Sequence, residues 1–185
     1  MLADRVVAAV DTLTDEAVAF TSDLIRIPTV NPPGDLYEEC AHVIGDMLAR
    51  CRFEVEYHAA EGLAEHTRTH PRINVVGTRR GRSLRPLVHL NGHFDVVPAG
   101  AGWTVDPFGG AVRDGRIWGR GSCDMKAGIA SAVFAVEAIQ RAGVVLGAPV
   151  EISGTVDEES GGFAGVAWLA RRRSPARRHA SANMR

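Results

Sequence analysis

Three short segments carry residues able to do acid–base or metal chemistry. The first is Leu90-Asn91-Gly92-His93-Phe94-Asp95-Val96-Val97-Pro98. His93 and Asp95 stand two apart, so an extended chain projects both to the same side. A carboxylate beside an imidazole can hold the ring and decide which nitrogen stays free for a metal. Taken alone, the pair also fits an ordinary surface ion pair. The second is Gly119-Arg120-Gly121-Ser122-Cys123-Asp124-Met125-Lys126. It lacks the Gly-x-x-x-x-Gly-Lys-Ser/Thr order of a phosphate loop. Cys123 has no imidazole beside it in sequence to activate a thiol. Asp124 opens a helix, where an N-cap role would also account for it. The third is Thr155-Val156-Asp157-Glu158-Glu159-Ser160-Gly161. Three consecutive carboxylates repel unless they face water or share a cation.

Together the segments say more than each alone. Each lies after an apolar strand or before a helix, where α/β sheets place their ligand sites. Imidazole with hard carboxylates suits zinc, cobalt or manganese. A carboxylate left over beside the ligands is what metal-assisted hydrolysis needs, because something must take the proton of the attacking water.

The ordered set Gly92-His93-Phe94-Asp95-Val96-Val97-Pro98, Gly119-Arg120-Gly121-Ser122-Cys123-Asp124-Met125-Lys126 and Asp157-Glu158-Glu159 resembles the di-zinc aminoacylase and glutamate carboxypeptidase family. The resemblance runs from about residue 15 to 170 and takes in Ile27-Pro28-Thr29-Val30-Asn31-Pro32-Pro33. It implies roles residue by residue. His93 looks like a ligand of one metal, Asp124 like the carboxylate bridging two, and Glu159 like a ligand of the second. Asp95 resembles the carboxylate orienting the histidine, and Glu158 the general base. The implied reaction is amide hydrolysis of N-acyl amino acids or small peptides, with two zinc ions as cofactors and cobalt or manganese as substitutes. In the family the peptide after the bridging aspartate is often cis, which here is Asp124–Met125.

The ending departs from the family pattern. Family members go on to supply another carboxylate ligand, a dimerising domain and a distant histidine ligand. After Glu159 this chain has no acid, and its one later histidine is His179. The expectation is therefore a partial catalytic domain over residues 1–170 and an Arg-rich tail over 171–185, out of frame or disordered. Each metal site then keeps two protein ligands, and the dimerising domain is missing. An inactive remnant with a weak metal site is the alternative.

The positioning elements can be read from periodicity. Thr14 reads as the N-cap of a first helix running to about Arg26. The prolines between Ile27 and Gly34 exclude helix there. Leu36, Cys40, Val43, Ile44, Met47, Leu48 and Cys51 form one helical face, which makes the two cysteines small buried hydrophobes. Phe53, Val55 and Tyr57 alternate as a half-buried strand. Residues 58–72 read as a loop whose His58, His66 and His70 are surface histidines. Ile73–Gly77 and Leu87–Gly92 read as buried strands, with a solvated basic turn between them. Asp114-Gly115 marks a hairpin. Lys126–Ala142 reads as a buried helix that stops at Gly143, followed by a strand over Val150–Val156 and a helix over Gly165–Arg173. Strands alternating with helices predict an α/β fold, a three-layer sandwich around a mostly parallel sheet.

Composition excludes other classes. The chain has 185 residues, 45% of them hydrophobic and 23% charged, as in an ordinary globular domain. No window offers the ~18 apolar residues of a membrane span, and no signal peptide is visible. Three cysteines are too few for a disulfide framework, which fits a cytoplasmic protein. Residues 171–185 hold six arginines, while residues 1–170 carry 15 basic against 22 acidic side chains, a net of −7. That acidic body, with no aromatic residue in the tail, argues against nucleic acid as a partner.

Overall fold

A computed structural model describes residues 1–85 and 87–173. The elements run α1 (Leu2–Arg26), α2 (Tyr37–Arg50), β1 (Glu54–Ala59), β2 (Ile73–Arg79), β3 (Val88–His93), β4 (Ala111–Arg113), β5 (Arg116–Trp118), α3 (Lys126–Arg141), β6 (Val150–Thr155), a 3-10 turn at Glu158–Ser160, and α4 (Val166–Arg173). Most of the Arg-rich tail lies outside the described residues, although Arg171–Arg173 complete α4.

The main sheet has the order β1-β2-β6-β3. It is mixed: β1–β2 and β2–β6 are antiparallel, and β3–β6 is parallel. The parallel pair is the one that matters for chemistry, because it carries His93 and Thr155 side by side to the same edge. Register assigns the faces. Val75, Gly154 and Gly92 are aligned partners, and a Cβ on Gly154 or Gly92 would meet Ile44 of α2 or Ile129 of α3. Both helices therefore cover one face, with α1 packed outside α3. On the other face Asn74 donates to the Ala164 carbonyl just before α4, which makes the third layer.

The core lies between the helices and the first face. Leu13, Leu24, Ile44, Leu48, Val75, Phe94, Ile129, Val133 and Ile152 are all buried there. Cys40 and Cys51 join them, as their helical spacing implied. The hairpin forms as Asp114-Gly115 demands, with both residues at positive φ, 54° and 68°.

The α/β layering is as expected but the sheet is mixed rather than mostly parallel, since β1 returns to β2 without a crossover helix and β2 runs against β6. Two further expectations change. The first helix starts at Leu2 rather than Thr14. Thr14 is satisfied inside the helix by bonding the Val10 carbonyl one turn back at 3.3 Å, and buried Ala9 extends the stripe of Leu13, Phe20 and Leu24 upstream. β3 was expected to be buried, yet Val88 and Leu90 are 48% and 37% exposed. Its apolar run is that of an interior parallel strand, but among the described residues β3 is an edge.

Candidate metal centre

The site is assembled at the ends of the parallel pair. β3 delivers His93, then the chain turns through Phe94 and Asp95. Val96 donates to the Thr29 carbonyl at 2.9 Å and accepts from Asn31 at 2.8 Å, which docks the proline-rich loop against this turn. β6 delivers Thr155, and the 3-10 turn follows with Glu158 and Glu159 in it. The third contributor is the loop before α3. Gly121 sits at φ +83°, and a Cβ there would lie 2.7 Å from Val96, so only glycine lets this loop close on the β3 turn. Asp124 leads into α3 across a cis peptide to Met125, as the resemblance implied. It does not cap the helix with its side chain.

Asp95 is the hub. Fully buried, it accepts from the Glu158 and Glu159 backbone N–H groups and from the Asn31 amide, each at 3.1 Å. Its Oδ1 stands 3.3 Å from His93 Nδ1, which also lies 3.1 Å from the Asp95 carbonyl. The His93 ring is thereby fixed and its Nε2 turned outward. Nε2 lies 3.0 Å from Asp124 Oδ1 and 3.7 Å from Glu158 Oε2. Asp124 and Glu158 are open to solvent, with side chains 77% and 56% exposed, while His93 is buried.

The electrostatics follow from this arrangement. Burial works against a charged His93, but its bonds to Asp95 and Asp124 and the nearby carboxylate charges outweigh it and raise the imidazole to about 9. Burial likewise pushes Asp95 up, yet the donors around it hold the carboxyl below its ordinary value. Glu159 is raised by burial and by the charges of Asp124, Asp95 and Glu158, against the opposing pull of His93. The neighbourhood of Nε2 is strongly negative and attracts positive charge.

All five residues singled out in the sequence, His93, Asp95, Asp124, Glu158 and Glu159, belong to this neighbourhood. Asp157 does not. It is buried at φ +60° and faces away, accepting from Tyr37 at 2.9 Å and pairing with buried Arg72 at 3.0 Å. The three consecutive carboxylates thus divide, and their repulsion is relieved by an internal arginine as well as by solvent. Arg72 and Tyr37 gave no local signal, since they come from distant segments.

Asn31 reaches the Asp95 carboxylate, while Arg113 and Arg116 are exposed on the hairpin. Lys126, the one lysine, is fully buried and donates to the Leu24 and Ile27 carbonyls at 2.8 and 2.7 Å. It ties the start of α3 to the end of α1 and so sets where Asp124 stands.

The donor chemistry fits a divalent ion. Two ligands sharing a tetrahedral zinc at about 2.0–2.1 Å lie roughly 3.3 Å apart, close to the 3.0 Å between His93 Nε2 and Asp124 Oδ1. The imidazole's back-side carboxylate is the arrangement that metal-binding histidines use. Among the described residues no group of three or more His, Cys, Asp or Glu side chains converges closely enough to hold an ion as it stands.

Known proteins share both sequence and fold. The chain is 36% identical over 166 residues to a succinyl-diaminopimelate desuccinylase of Methylobacterium radiotolerans, covering 86% of this chain and 40% of that protein. It is 40% identical over 148 residues to the enzyme of the same name from Gluconacetobacter diazotrophicus, covering 77% and 35%. The chain thus spans well under half the length of these relatives. Human carnosine dipeptidase 1 superposes with a TM-score of 0.79 at 24% identity, over 93% of this chain and 38% of that one. The dipeptidase Dug1p of Saccharomyces cerevisiae gives 0.79 at 20% identity, over 91% and 37%. These two likenesses establish the fold. The pattern described as Peptidase family M20/M25/M40 matches residues 89–183. That stretch is half of the chain and contains His93, Asp95, Asp124, Glu158 and Glu159, so the chain belongs to this peptidase family.

Proposed function

We propose that this site serves metal-dependent hydrolysis of an amide bond in an N-acyl amino acid or small peptide. The observation that carries the reading is the outward-facing His93 Nε2, between Asp124 at 3.0 Å and Glu158 at 3.7 Å and braced from behind by buried Asp95. The names of the desuccinylase relatives support the substrate class. His93, Asp124 and Glu159 would hold metal, zinc foremost, with Asp124 shared between two ions. A bound ion would supply Lewis acidity, lowering the pKa of water and polarising the amide carbonyl. Asp95 orients the His93 ring and anchors the Glu158–Glu159 backbone. Glu158 is the proton carrier: its Oε2 takes the proton of the attacking water and returns it to the leaving amine.

A second reading is metal binding without turnover. Among the described residues no third donor converges on His93 with Asp124 or on Asp124 with Glu159, which favours it, since catalytic zinc usually has three protein ligands. Zinc titration by calorimetry and an assay on N-succinyl and N-acetyl amino acids separate the readings. We expect measurable zinc binding, abolished by Asp124→Ala with Glu159→Ala, and little hydrolysis by the 185-residue chain. Glu158→Gln should keep the zinc and remove whatever turnover exists. Unchanged zinc affinity in the double variant would overturn the site. Brisk hydrolysis would exclude the second reading.

A further inference from the structure

At the end of the sheet opposite His93, five arginines gather without enough carboxylates to match them. β2 runs antiparallel to β6, so Arg79 pairs with Val150 while His93 pairs with Thr155. Five strand steps, roughly 17 Å at ~3.3 Å each, separate the two ends. Arg52, Arg79, Arg80 and Arg141 line a cleft of about 340 Å³ with Glu137 and Gln140, closed on one side by the chain from Gly143 to Leu146. Arg5 adds a fifth guanidinium, bonded to the Ala142 carbonyl beside Gly143.

Two of these arginines are already matched. Arg80 makes a two-pronged pair with Glu54 at 2.9 and 3.2 Å, and Arg141 binds Glu137 at 3.0 Å and Glu16 at 3.2 Å. Among the described residues neither Arg52 nor Arg79 has a carboxylate within ion-pair distance; Arg79 Nη1 donates to the Cys51 carbonyl at 2.5 Å, which fixes the guanidinium and leaves its other N–H groups and its charge for a ligand. Burial and then the neighbouring Arg52 charge both press the Arg79 guanidinium below its ordinary value, against a weaker pull from Glu137. The buried Gln140 Nε2 also lacks an acceptor. The last carbonyls of α3 do not compete for these donors, because Ala138, Ile139 and Gln140 accept from Ala142, Val144 and Gly143.

The cleft is built rather than loose. Arg82 and Ser83 donate to the Leu146 and Gly147 carbonyls at 2.9 and 3.1 Å, and Gly81 packs so closely on Ala148 that a Cβ would lie 2.4 Å from its backbone. Arg52 stands at φ +61° on the turn between α2 and β1 and is exposed where it lines the cleft.

We propose that this cleft binds a phosphate group, free or as the monoester of a small metabolite, through Arg52 and Arg79. Planar guanidinium forks match phosphate oxygens two at a time, and the two unmatched charges supply what a dianion lacks. The site is separate from the metal centre and goes beyond the hydrolase reading.

The test is calorimetric titration of the full 185-residue chain with inorganic phosphate, at ionic strength held constant with chloride. Arg52→Gly is the informative variant. Glycine adopts positive φ freely, so the fold should be as stable or more so, while phosphate affinity should fall at least about tenfold, the loss of one charge-assisted contact. Arg79→Met should do the same with the packing of its stem retained. Asp124→Ala should bind phosphate as the parent does, which separates this cleft from the metal centre. Glucose 6-phosphate is the second titrant: tighter binding than phosphate assigns a phosphorylated metabolite, and weaker binding assigns the free ion. Three results would overturn the proposal. They are no binding at millimolar phosphate, undiminished binding in Arg52→Gly, and an equal loss in Arg113→Gln, whose guanidinium lies over Trp118 on the hairpin.

Discussion

Asp95 shows how one side chain can hold a site together while standing behind it. Its two oxygens take up the His93 ring, the Asn31 amide and two backbone N–H groups. Asp95→Ala would leave these donors buried without an acceptor, so it should lower unfolding free energy by about 3–5 kcal/mol. The same change frees the His93 ring, which should weaken zinc binding about 10–100-fold. Urea melts and calorimetry check the two effects, and an unchanged melt would contradict the hub role. Asp124 is the opposite case. Its side chain is 77% exposed, so Asp124→Ala should move stability by no more than about 0.5 kcal/mol while its effect on zinc is large. A stability loss comparable to that of Asp95→Ala would mean that Asp124 is structural.

At the scale of elements, the decisive joint lies between α1 and α3. Lys126 spends its charge on the Leu24 and Ile27 carbonyls, at the end of α1, where a cation also complements the helix dipole. Burial lowers its pKa, with Cys40 and Asp95 opposing. Lys126→Met preserves the length of the side chain but removes both bonds, leaving the Leu24 and Ile27 carbonyls with one backbone donor each, Ile27 N–H and Thr29 N–H, at about 0.5–1.5 kcal/mol per lost bond. We expect a matching drop in urea midpoint and faster hydrogen exchange in the 24–31 segment. The consequence should reach the metal centre, because Asp124 stands two residues from this joint. Zinc affinity should fall although no donor has been removed.

For the whole molecule, burial and edge exposure set the solution behaviour. Burial raises the Cys40 and Cys51 thiols to about 11, while Cys123 is exposed. One thiol of the three should therefore react with Ellman's reagent in the native state. In the unfolded chain a thiol ionises near 8.5, so between there and about 11 the unfolded state binds fewer protons than the folded one. The stability contributed by Cys40 and Cys51 is complete below that window and is lost as pH rises through it. The melting temperature should fall across this range, and Cys40→Ala should flatten the fall. β3 brings a different liability, since Leu87, Val88 and Leu90 are exposed at a strand edge. A charge there discourages edge-to-edge pairing. Val88→Lys should reduce concentration-dependent association in light scattering, and unaltered scattering would place the sticky surface elsewhere.

Local chemistry made much of this legible. The helical spacing of Cys40, Ile44 and Leu48, the Asp114-Gly115 turn and the strand read over Val150–Val156 each depend on near neighbours, and each formed, the strand as Val150–Thr155. The three segments with His93, Asp124 and Glu159 could likewise be singled out by residue type and order at strand ends, and their metal roles belong to the proposal above. Tertiary structure alone decided the rest. The direction of β2 against β6 depends on pairing between distant segments, and so does the exposure of β3. Asp157 is turned from its two neighbours by Arg72, 85 residues away, and Lys126 becomes a clamp only because α1 ends beside it. Such partners are chosen by three-dimensional proximity, and periodicity in the sequence carries no record of it.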